Sequence, residues 1–550
     1  MENSTKRMNT PYKLYINDKK EEDFKNQIIS NKLSLRKKKL YNLLMQKRQT
    51  NTQIKTEEKN HKGTLSKISI LIHKEDFNNI QSGLNMLYDY LINNPKLEKE
   101  NIKYIYENIY YRLLDIICSD KSYENNKNMN KILFLINYLT TENNIFIEPV
   151  TEQLFLTEFQ KIIDINFNNK NFISLIIPLL SDMLTNKKKF IQIMNAIDII
   201  KIMKVKINEN NFDKDNIENV LLLMNNFIMN INKDMTNKFK FILEYILNVL
   251  NCNYLMNNLV NSNNNDESFI MISIFDILIH MVNAQGNMKI IKKSNCFMFI
   301  KNIINNYKNI NINSNLYLLK CYEFLSNIIL NEKTSEDKKN IVTYFYQNNS
   351  DNNSIGLPFV NELIECIKLK NKSFVYILIN CIISLVNNSN EFCELYCSNN
   401  NFINILINLF NEKIPKKIKN EIITFFINII EINNIKIYKY ILNIDIFTLF
   451  ISYLIKKQKS KKESTKIIIY NILYFINKCL LLENDHNMNE IMKILDKYKF
   501  KETIEFLIEN KDESISDISR SMFIKFFSTP ENVYCQNNKK NIDDNKMIIE

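Results

Sequence analysis

Strongly apolar segments of helical length follow one another along most of this 550-residue chain. Residues 402–410, 421–430 and 467–477 are examples, and short connectors rich in Asn, Lys and Asp separate such segments. Their apolar residues cover more than one face of a helix, so each helix needs neighbours on both sides. Stacking in an α-solenoid supplies them, because each unit packs against the unit before it and the unit after it.

A polar residue followed by two or three apolar ones recurs near the end of the longest apolar segment of each unit. The residues that mark this position are Asn137, Asp182, Asn226, His280, Asn327, Ser384, Asn428 and Asn477. Successive marks lie 44 to 57 residues apart. Periods of about 40–47 residues are typical of HEAT and armadillo arrays, and loop insertions such as residues 348–356 account for the longer intervals. The sequence therefore predicts stacked helical repeats of this kind.

Glycine is too scarce for most nucleotide-binding chemistry. The chain has four glycines, and none of them has another glycine nearby. A P-loop or a dinucleotide fingerprint needs several glycines within a few residues, so both are excluded. The four histidines are isolated from one another, and no grouping typical of a catalytic triad or a zinc protease occurs. We expect no catalytic residues and no cofactor.

The ten cysteines are spread through apolar segments, a pattern typical of reduced intracellular thiols. Cys393 and Cys397 lie four residues apart and would share a helix face. No histidine lies near them and no second pair completes a metal site, so we expect both to be buried core residues and no metal to be bound. Asn or Lys interrupts each apolar run, and we expect no stretch long enough to span a membrane.

Positive charge is concentrated near the start of the chain. Lys and Arg number 72 against 60 Asp and Glu, and residues 1–60 hold eight of the twelve surplus charges. Residues 31–49 carry seven basic side chains and no acidic one. Such an arm indicates an electrostatic partner, which charge alone leaves open among nucleic acid, an anionic membrane and an acidic protein groove.

Three segments resemble the importin-alpha family. Residues 320–330 look like the third helix of an importin-alpha repeat, with Asn327 at the family's Asn position and Glu323 at its Trp position. Residues 504–527 resemble the family's last armadillo repeat without a gap, with Ser519 in place of its small Ala. Residues 35–49 are similar to the second half of the importin-beta-binding segment. The matching basic residues are Arg36, Lys37, Lys39, Lys47 and Arg48, and the resemblance implies that these and Lys38 bind importin beta.

The arm also departs from the family pattern. A further basic cluster normally precedes the matched part, whereas residues 21–31 offer only Lys25. A solvated basic helix, or a localisation signal that another protein reads, remains an alternative interpretation of this segment.

The resemblance implies a peptide-binding groove along the third helices. In the family, Asn side chains bond the backbone of a localisation peptide, Trp rings stack on its lysine stems and carboxylates meet its ammonium groups. The implied groove residues are Asn137, Asp182, Asn226, Glu323, Asn327, Ser384 and Asn428. The chain has no Trp, and the Trp positions read Leu133, Pro178, Leu222, Asp276, Glu323, Asn380, Thr424 and Leu473. We therefore expect a weaker or altered range of cargo.

Pro178 lies within one of the predicted third helices. Because a proline inside a helix removes a hydrogen bond and clashes one turn back, we expect that helix to start or kink there.

As a whole, we expect an all-α, right-handed α-solenoid of about ten armadillo (ARM/HEAT-like) repeats with a flexible basic N-terminal arm. The arm covers residues 1–61, the array 62–528 and a polar flexible tail 529–550. The resemblance implies a nuclear import adaptor of cytoplasm and nucleus that binds importin beta and basic localisation-signal peptides, with no direct contact to nucleic acid or membrane. The alternative is an armadillo scaffold dedicated to one protein partner, which the loss of every Trp favours. We do not expect an enzyme.

Overall fold

The computed structural model describes residues 61–94, 97–119, 126–208, 214–231, 239–250, 265–282, 287–305, 315–346, 357–442, 445–485 and 490–527. All regular structure within these residues is helical. The chain divides into two compact units, Met1–Tyr317 and Leu318–Glu550. The predicted tail and all of the predicted arm except His61 lie outside the described residues.

The helices of unit 1 are α1 (His61–His73), α2 (Phe77–Asn93), α3 (Lys99–Ile105), α4 (Tyr111–Cys118), α5 (Asn126–Glu142), α6 (Ile147–Val150), α7 (Gln153–Ile165), α8 (Lys170–Met183), α9 (Phe190–Ala196), α10 (Ile199–Asn208), α11 (Lys214–Ile228), α12 (Lys240–Leu250), α13 (Asn265–Val282), α14 (Asn287–Lys293) and α15 (Cys296–Asn305). A π-helical turn, Tyr106–Tyr110, joins α3 to α4, and 3₁₀ turns, Asn144–Phe146 and Lys187–Lys189, precede α6 and α9.

The helices of unit 2 are α16 (Asn315–Asn331), α17 (Ser335–Tyr346), α18 (Val360–Lys368), α19 (Lys372–Val386), α20 (Asn390–Cys397), α21 (Asn400–Asn411), α22 (Lys416–Glu431), α23 (Ile435–Leu442), α24 (Ile446–Lys457), α25 (Glu463–Asp485), α26 (Glu490–Lys497), α27 (Phe500–Ile508) and α28 (Glu513–Met522), which a π-helical turn, Phe523–Phe527, follows. Most of α16 belongs to this unit, and we describe it here.

Each unit is a stack of three-helix repeats. A repeat such as α20, α21 and α22 has a short first helix, a middle helix and a long third helix. The first helix α20 contacts the next first helix α23, and the long helix α22 contacts the long helices α19 and α25. The long helices α2, α5, α8, α11 and α13 form the corresponding series in unit 1. This architecture confirms the prediction of an all-α, armadillo/HEAT-like α-solenoid.

Aromatic rings join neighbouring repeats in unit 2. Phe426 of α22 lies 6.0 Å from Phe450 of α24 and 6.3 Å from Phe475 of α25, measured between ring centroids. Phe450 and Phe475 are 5.5 Å apart, and all three rings are buried. Edge-on aromatic pairs of this kind contribute about 0.5–1.5 kcal/mol each beyond the burial of apolar area.

One helix corrects the expectation that no stretch is long and apolar enough to cross a membrane. Glu463–Glu483, within α25, is long and apolar enough to cross a membrane by length and composition, with a mean hydropathy of 1.4 over its most apolar 18 residues. More than half of this stretch, 56%, is buried inside the protein, because α22 and α28 cover it from two sides. A core helix that is sandwiched in this way is apolar all round for the same reason that a membrane helix is.

Pro178 lies inside α8 rather than at its start. The helix begins at Lys170, where the Asn169 side chain accepts hydrogen bonds from the first backbone N–H groups. Pro178 cannot donate to the carbonyl one turn back. Beside the Ser174 carbonyl, which thereby lacks its helical donor, Asn137 of α5 donates its Nδ2 to the Leu175 carbonyl at 2.8 Å and ties this turn to the neighbouring repeat.

A buried lysine closes the C-terminal end of α19. Lys338 of α17 is 2% exposed, and its Nζ donates to the carbonyls of Ser384 at 2.7 Å, Leu385 at 3.3 Å and Asn387 at 2.5 Å. The last carbonyls of a helix have no partner within the helix, and a cation is favourable there. Burial lowers the pKa of Lys338 to about 8.

The pKa of Lys338 predicts a pH dependence of stability. Because its folded pKa of about 8 lies below its ordinary value of 10.5, the unfolded chain binds more protons between these values, and stability rises with pH across that window. The variant Lys338→Met lacks this titration. We expect the free energy of unfolding of the natural chain, relative to that of the variant, to increase from pH 8 to pH 10.5 in urea denaturation. A difference that is constant or falls with pH would contradict this account.

Candidate functional site

The basic residues of the expected importin-beta-binding segment lie outside the described residues. These are Arg36, Lys37, Lys38, Lys39, Lys47 and Arg48. Their assignment remains a prediction from the sequence.

The groove residues expected in unit 1 lie on three successive long helices, α5, α8 and α11. Asn137 is tied to α8 as described above, and Asp182 of α8 accepts hydrogen bonds from Thr140 at 2.9 Å and Thr141 at 3.3 Å, both on α5. Asn226 of α11 donates its Nδ2 to the carbonyl and the hydroxyl of Ser181 on α8, each at 2.9 Å. The structure therefore joins Asn137, Asp182 and Asn226 into a hydrogen-bond ladder between neighbouring repeats.

This ladder leaves little of the three side chains for a ligand. Asp182 is 3% exposed, while Asn137 and Asn226 are half-buried. Asn230, one turn after Asn226, extends the ladder by donating to the Leu184 carbonyl at 2.9 Å. The sequence analysis did not identify Thr140, Thr141 and Ser181 as the hydrogen-bond partners in this ladder. Thr140 and Thr141 follow Asn137 within about one helical turn, a spacing that places them near the same face of α5.

The groove residues expected in unit 2 differ in exposure. Asn327 is half-buried and donates to the carbonyl of Glu323, one turn back in its own helix, at 2.8 Å. Ser384 is 4% exposed and shares a 2.9 Å hydrogen bond with Ser326 of α16. Asn428 is also 4% exposed. Glu323 is half-buried and pairs with the buried Lys320 at 2.8 Å. Of these four positions, Glu323 and Asn327 reach the surface.

The half-exposed surface of the long helices in unit 2 carries tyrosine and carboxylate side chains. We call this surface the tyrosine–carboxylate face; its members are Glu323, Tyr376, Asn380, Glu421, Tyr470, Tyr474 and, at its exposed end, Glu431. Burial raises the pKa of Tyr376, and the nearby carboxylates of Glu421 and Glu323 add to that effect, whereas a hydrogen bond with Asn380 opposes it. These electrostatic neighbours place Tyr376 between the carboxylates of α16 and α22.

Lysines of the chain itself already lie on this face. The Nζ of Lys417 is 4.6 Å from the ring centroid of Tyr376, and the Nζ of Lys478 is 5.4 Å from that of Tyr474. The Tyr474 hydroxyl donates to Glu431 at 3.1 Å, and the rings of Tyr470 and Tyr474 stack at 6.4 Å. An ammonium group over an aromatic ring within about 6 Å is attracted by the ring quadrupole. The tyrosine rings and carboxylates of this face therefore attract cations.

Sequence reasoning did not single out these tyrosines. Tyr376 lies one turn before Asn380, and Tyr470 and Tyr474 flank Leu473, so the rings stand within a turn of positions where the importin-alpha pattern has Trp. A tyrosine within one helical turn of Asn380 and of Leu473 is the sequence signal that indicates them.

Cys393 and Cys397 are buried, which confirms their prediction as core residues. The Cys393 thiol donates to the Val386 carbonyl at 3.3 Å, and burial raises the pKa of Cys397 to about 12. Across the described residues, no group of three or more His, Cys, Asp or Glu side chains is arranged to hold a metal ion.

Comparison with known proteins supports the fold. An engineered protein of known structure matches with a TM-score of 0.51 at 11% identity, covering 83% of this chain and 97% of its own. Kap95p, in a structure with RanGDP, matches with a TM-score of 0.50 at 10% identity, covering 84% of this chain and 52% of its own, so this chain spans about half the length of Kap95p. Identities this low show the fold alone.

The fold is an armadillo/HEAT-like α-solenoid. The chain matches no protein-family model and no curated protein. The expected membership of the importin-alpha family is therefore a proposal, while the architecture that the resemblance implied is established.

The hydrogen bonds of the ladder predict different costs for two asparagines at the same repeat position. Asn226→Ala removes two bonds to another helix, and we expect it to lower the free energy of unfolding by about 1–2 kcal/mol. Asn327→Ala removes one bond within its own helix, so a change of about 0.5 kcal/mol or less is expected. Both variants make the same chemical change, and urea denaturation compares them. Equal costs would contradict the structural role of Asn226.

Proposed function

We propose that this chain is a non-catalytic protein-binding solenoid whose tyrosine–carboxylate face binds an extended, lysine-rich segment of a partner protein. The observation that carries the proposal is the ammonium group of Lys417, 4.6 Å from the ring of Tyr376. Tyr376 also interacts electrostatically with the carboxylates of Glu323 on α16 and Glu421 on α22. This intramolecular lysine shows the kind of contact that a ligand lysine would make.

The chemistry of the face suits lysine in two ways. A phenol ring attracts an ammonium group by about 0.5–1 kcal/mol at an exposed site, and the carboxylates beside it add Coulomb attraction. Tyr376 and Tyr474 lie on different long helices, so an extended peptide that crosses the helices meets several such places in turn. Repeated weak contacts along one segment add up to specific binding.

Unit 1 is less suited to this function. Neighbouring helices already form hydrogen bonds with the side chains of Asn137, Asp182 and Asn226, and Asp182 is almost fully buried. A peptide backbone that competed for these groups would have to break the ladder, which costs about 1 kcal/mol for each bond.

The finer proposal is a nuclear import adaptor. Here the basic arm, with Arg36, Lys37, Lys39, Lys47 and Arg48 as its main contacts, binds importin beta, while the tyrosine–carboxylate face holds the localisation signal of a cargo. The similarity of residues 35–49 to an importin-beta-binding segment supports it. Such an adaptor would work in both cytoplasm and nucleus.

The second candidate is a scaffold dedicated to one protein partner. The absence of Trp from the whole chain and the use of unit 1 asparagines within the fold favour this alternative, because both reduce the capacity to accept many different localisation signals. Binding of importin beta by the arm distinguishes the two candidates.

Substitutions of Tyr376 and of Lys417, whose side chains are in contact, should have opposite effects on peptide affinity. Tyr376→Leu keeps apolar bulk but removes the ring that faces the ammonium group, and we expect it to weaken binding of a labelled lysine-rich localisation peptide about threefold to fivefold. Lys417→Ala removes the internal competitor and should tighten binding by about as much. Fluorescence anisotropy with the full chain measures both.

Tyr344→Leu is the matched control, because Tyr344 is exposed on α17 outside the face. The affinity of the Tyr344→Leu variant for the peptide should equal that of the natural chain. Unchanged affinity in both the Tyr376 and the Lys417 variant would refute the face as the binding site.

The arm makes a separate prediction. A peptide of residues 24–60 should retain importin beta in a pull-down, and reversal of Arg36, Lys37, Lys39, Lys47 and Arg48 to Glu should abolish retention, because the matched contacts are electrostatic. Failure of the natural peptide to bind, or binding indifferent to the reversals, would reject the import adaptor and leave the dedicated scaffold.

A further inference from the structure

A dense group of lysines lies in unit 2 where α22 begins, α24 ends and α25 begins. We call it the lysine patch; its members are Lys413, Lys416, Lys419, Lys456, Lys457, Lys459, Lys461 and Lys462. The Nζ of Lys416 donates to the hydroxyl of Ser464 at 3.1 Å and also to that of Thr465, which ties the start of α22 to the start of α25.

The lysines of the patch are close enough to repel one another. Burial lowers the pKa of Lys416, and the positive charges of Lys462 and Lys457 lower it further. Burial and the charge of Lys457 likewise lower the pKa of Lys419. The Nζ of Lys419 sits between two rings, 4.9 Å from the centroid of Phe410 and 5.9 Å from that of Tyr453, and donates to the Phe410 carbonyl.

In the part of unit 2 that the structure describes, no salt bridge holds these lysines. Among the described residues, no carboxylate lies within ion-pair distance of any lysine of the patch, and all of its members except Lys416 and Lys419 are exposed. By contrast, Lys436 of α23 pairs with Glu394 at 3.1 Å, and Lys466, one turn after Lys462, pairs with Glu463 at 3.3 Å. Crowded like charges destabilise the folded state, so a bound partner of opposite charge would reduce the electrostatic repulsion among these lysines.

Two exposed apolar side chains adjoin the patch. Ile455 lies directly before Lys456 and is 40% exposed, and Phe506 of α27 is 41% exposed. The Nζ of Lys459 is 5.8 Å from the centroid of the Phe506 ring, which joins Phe506 to the patch. A surface that combines cations with apolar side chains complements a partner that offers both carboxylates and an apolar group.

Carboxylates border the patch. Glu412 precedes Lys413, Glu463 follows Lys462 and Glu505 precedes Phe506, and all three are exposed. A long phosphodiester backbone, or a flat anionic membrane, would meet these negative charges as it extended beyond the lysines. The patch also contains no Arg, the residue that recognises phosphate through paired hydrogen bonds. This chemistry favours a short acidic segment over a long polyanion.

We propose that the lysine patch, with Ile455 and Phe506, binds an acidic segment of a partner protein that also carries an apolar side chain. This surface is separate from the tyrosine–carboxylate face and takes ligands of the opposite charge. A solenoid with both surfaces brings together a basic and an acidic protein segment.

The experiment uses the full chain and a fluorescein-labelled peptide in which leucines are interspersed among glutamates. The triple variant Lys457→Glu, Lys459→Glu and Lys462→Glu should weaken binding about tenfold or more in fluorescence anisotropy, because three exposed attractions become repulsions. The control reverses Lys333, Lys368 and Lys439 to Glu, which are exposed in the same unit. It makes the same change in net charge and should leave the affinity within about twofold.

The apolar part of the proposal has its own test. Phe506→Ser should weaken binding of the leucine-containing peptide and leave a polyglutamate of equal charge unaffected. Equal losses in the two lysine variants would overturn the proposal, as would no binding of the peptide. The proposal would also be overturned if the same lysines bound oligouridylate, or vesicles of phosphatidylcholine with phosphatidylserine, more strongly than the acidic peptide. The patch would then bind a nucleic acid or a membrane.

Discussion

The structure depends on the burial of each long helix between two others. In unit 2, α22 lies between α19 and α25, and apolar side chains such as Ile422 and Phe426 fill both contacts. Inside such contacts a polar atom has no water to bond, and leaving it unpaired costs about 1–3 kcal/mol. Several polar side chains on these surfaces therefore form hydrogen bonds with the neighbouring helix, as Asp182 does with Thr140 and Asn226 does with Ser181.

The same constraint separates charge within unit 2. Carboxylates and tyrosines remain along the half-exposed surface of the long helices, whereas the lysines gather where helix ends leave room for long side chains. Lys417 stands between the two regions: it follows Lys416 of the lysine patch, yet its ammonium group lies over Tyr376. Under the proposed function, a basic ligand would be attracted to one region and repelled by the other, so the lysine patch would limit how far such a ligand extends along the unit.

The fold could be predicted from the sequence because helices that are apolar on several faces, repeated at about 45 residues, have few alternatives to a solenoid. The site could not be predicted as well. Successive residues of a helix point about 100° apart, so an error of one position moves a side chain from the surface to a contact. Ser384 and Asn428 are buried, while the preceding residues, Ile383 and Ile427, are half-exposed. Sequence patterns fix the helix but not this rotation, which the neighbouring repeats determine.

The tyrosines of this face, in a chain without Trp, determine how the proposed ligand would be held. The tyrosines already have partners, since Tyr474 donates to Glu431 and Lys417 covers Tyr376. A ligand lysine would have to displace the internal partner of a tyrosine before it contacts the ring. The net gain in binding free energy at each tyrosine would then be the difference between two contacts of similar energy. Useful affinity then requires several exchanges along one extended segment. Under the proposed function, the repetition of helices, rather than the strength of any single pocket, would allow a solenoid without Trp to bind a basic peptide.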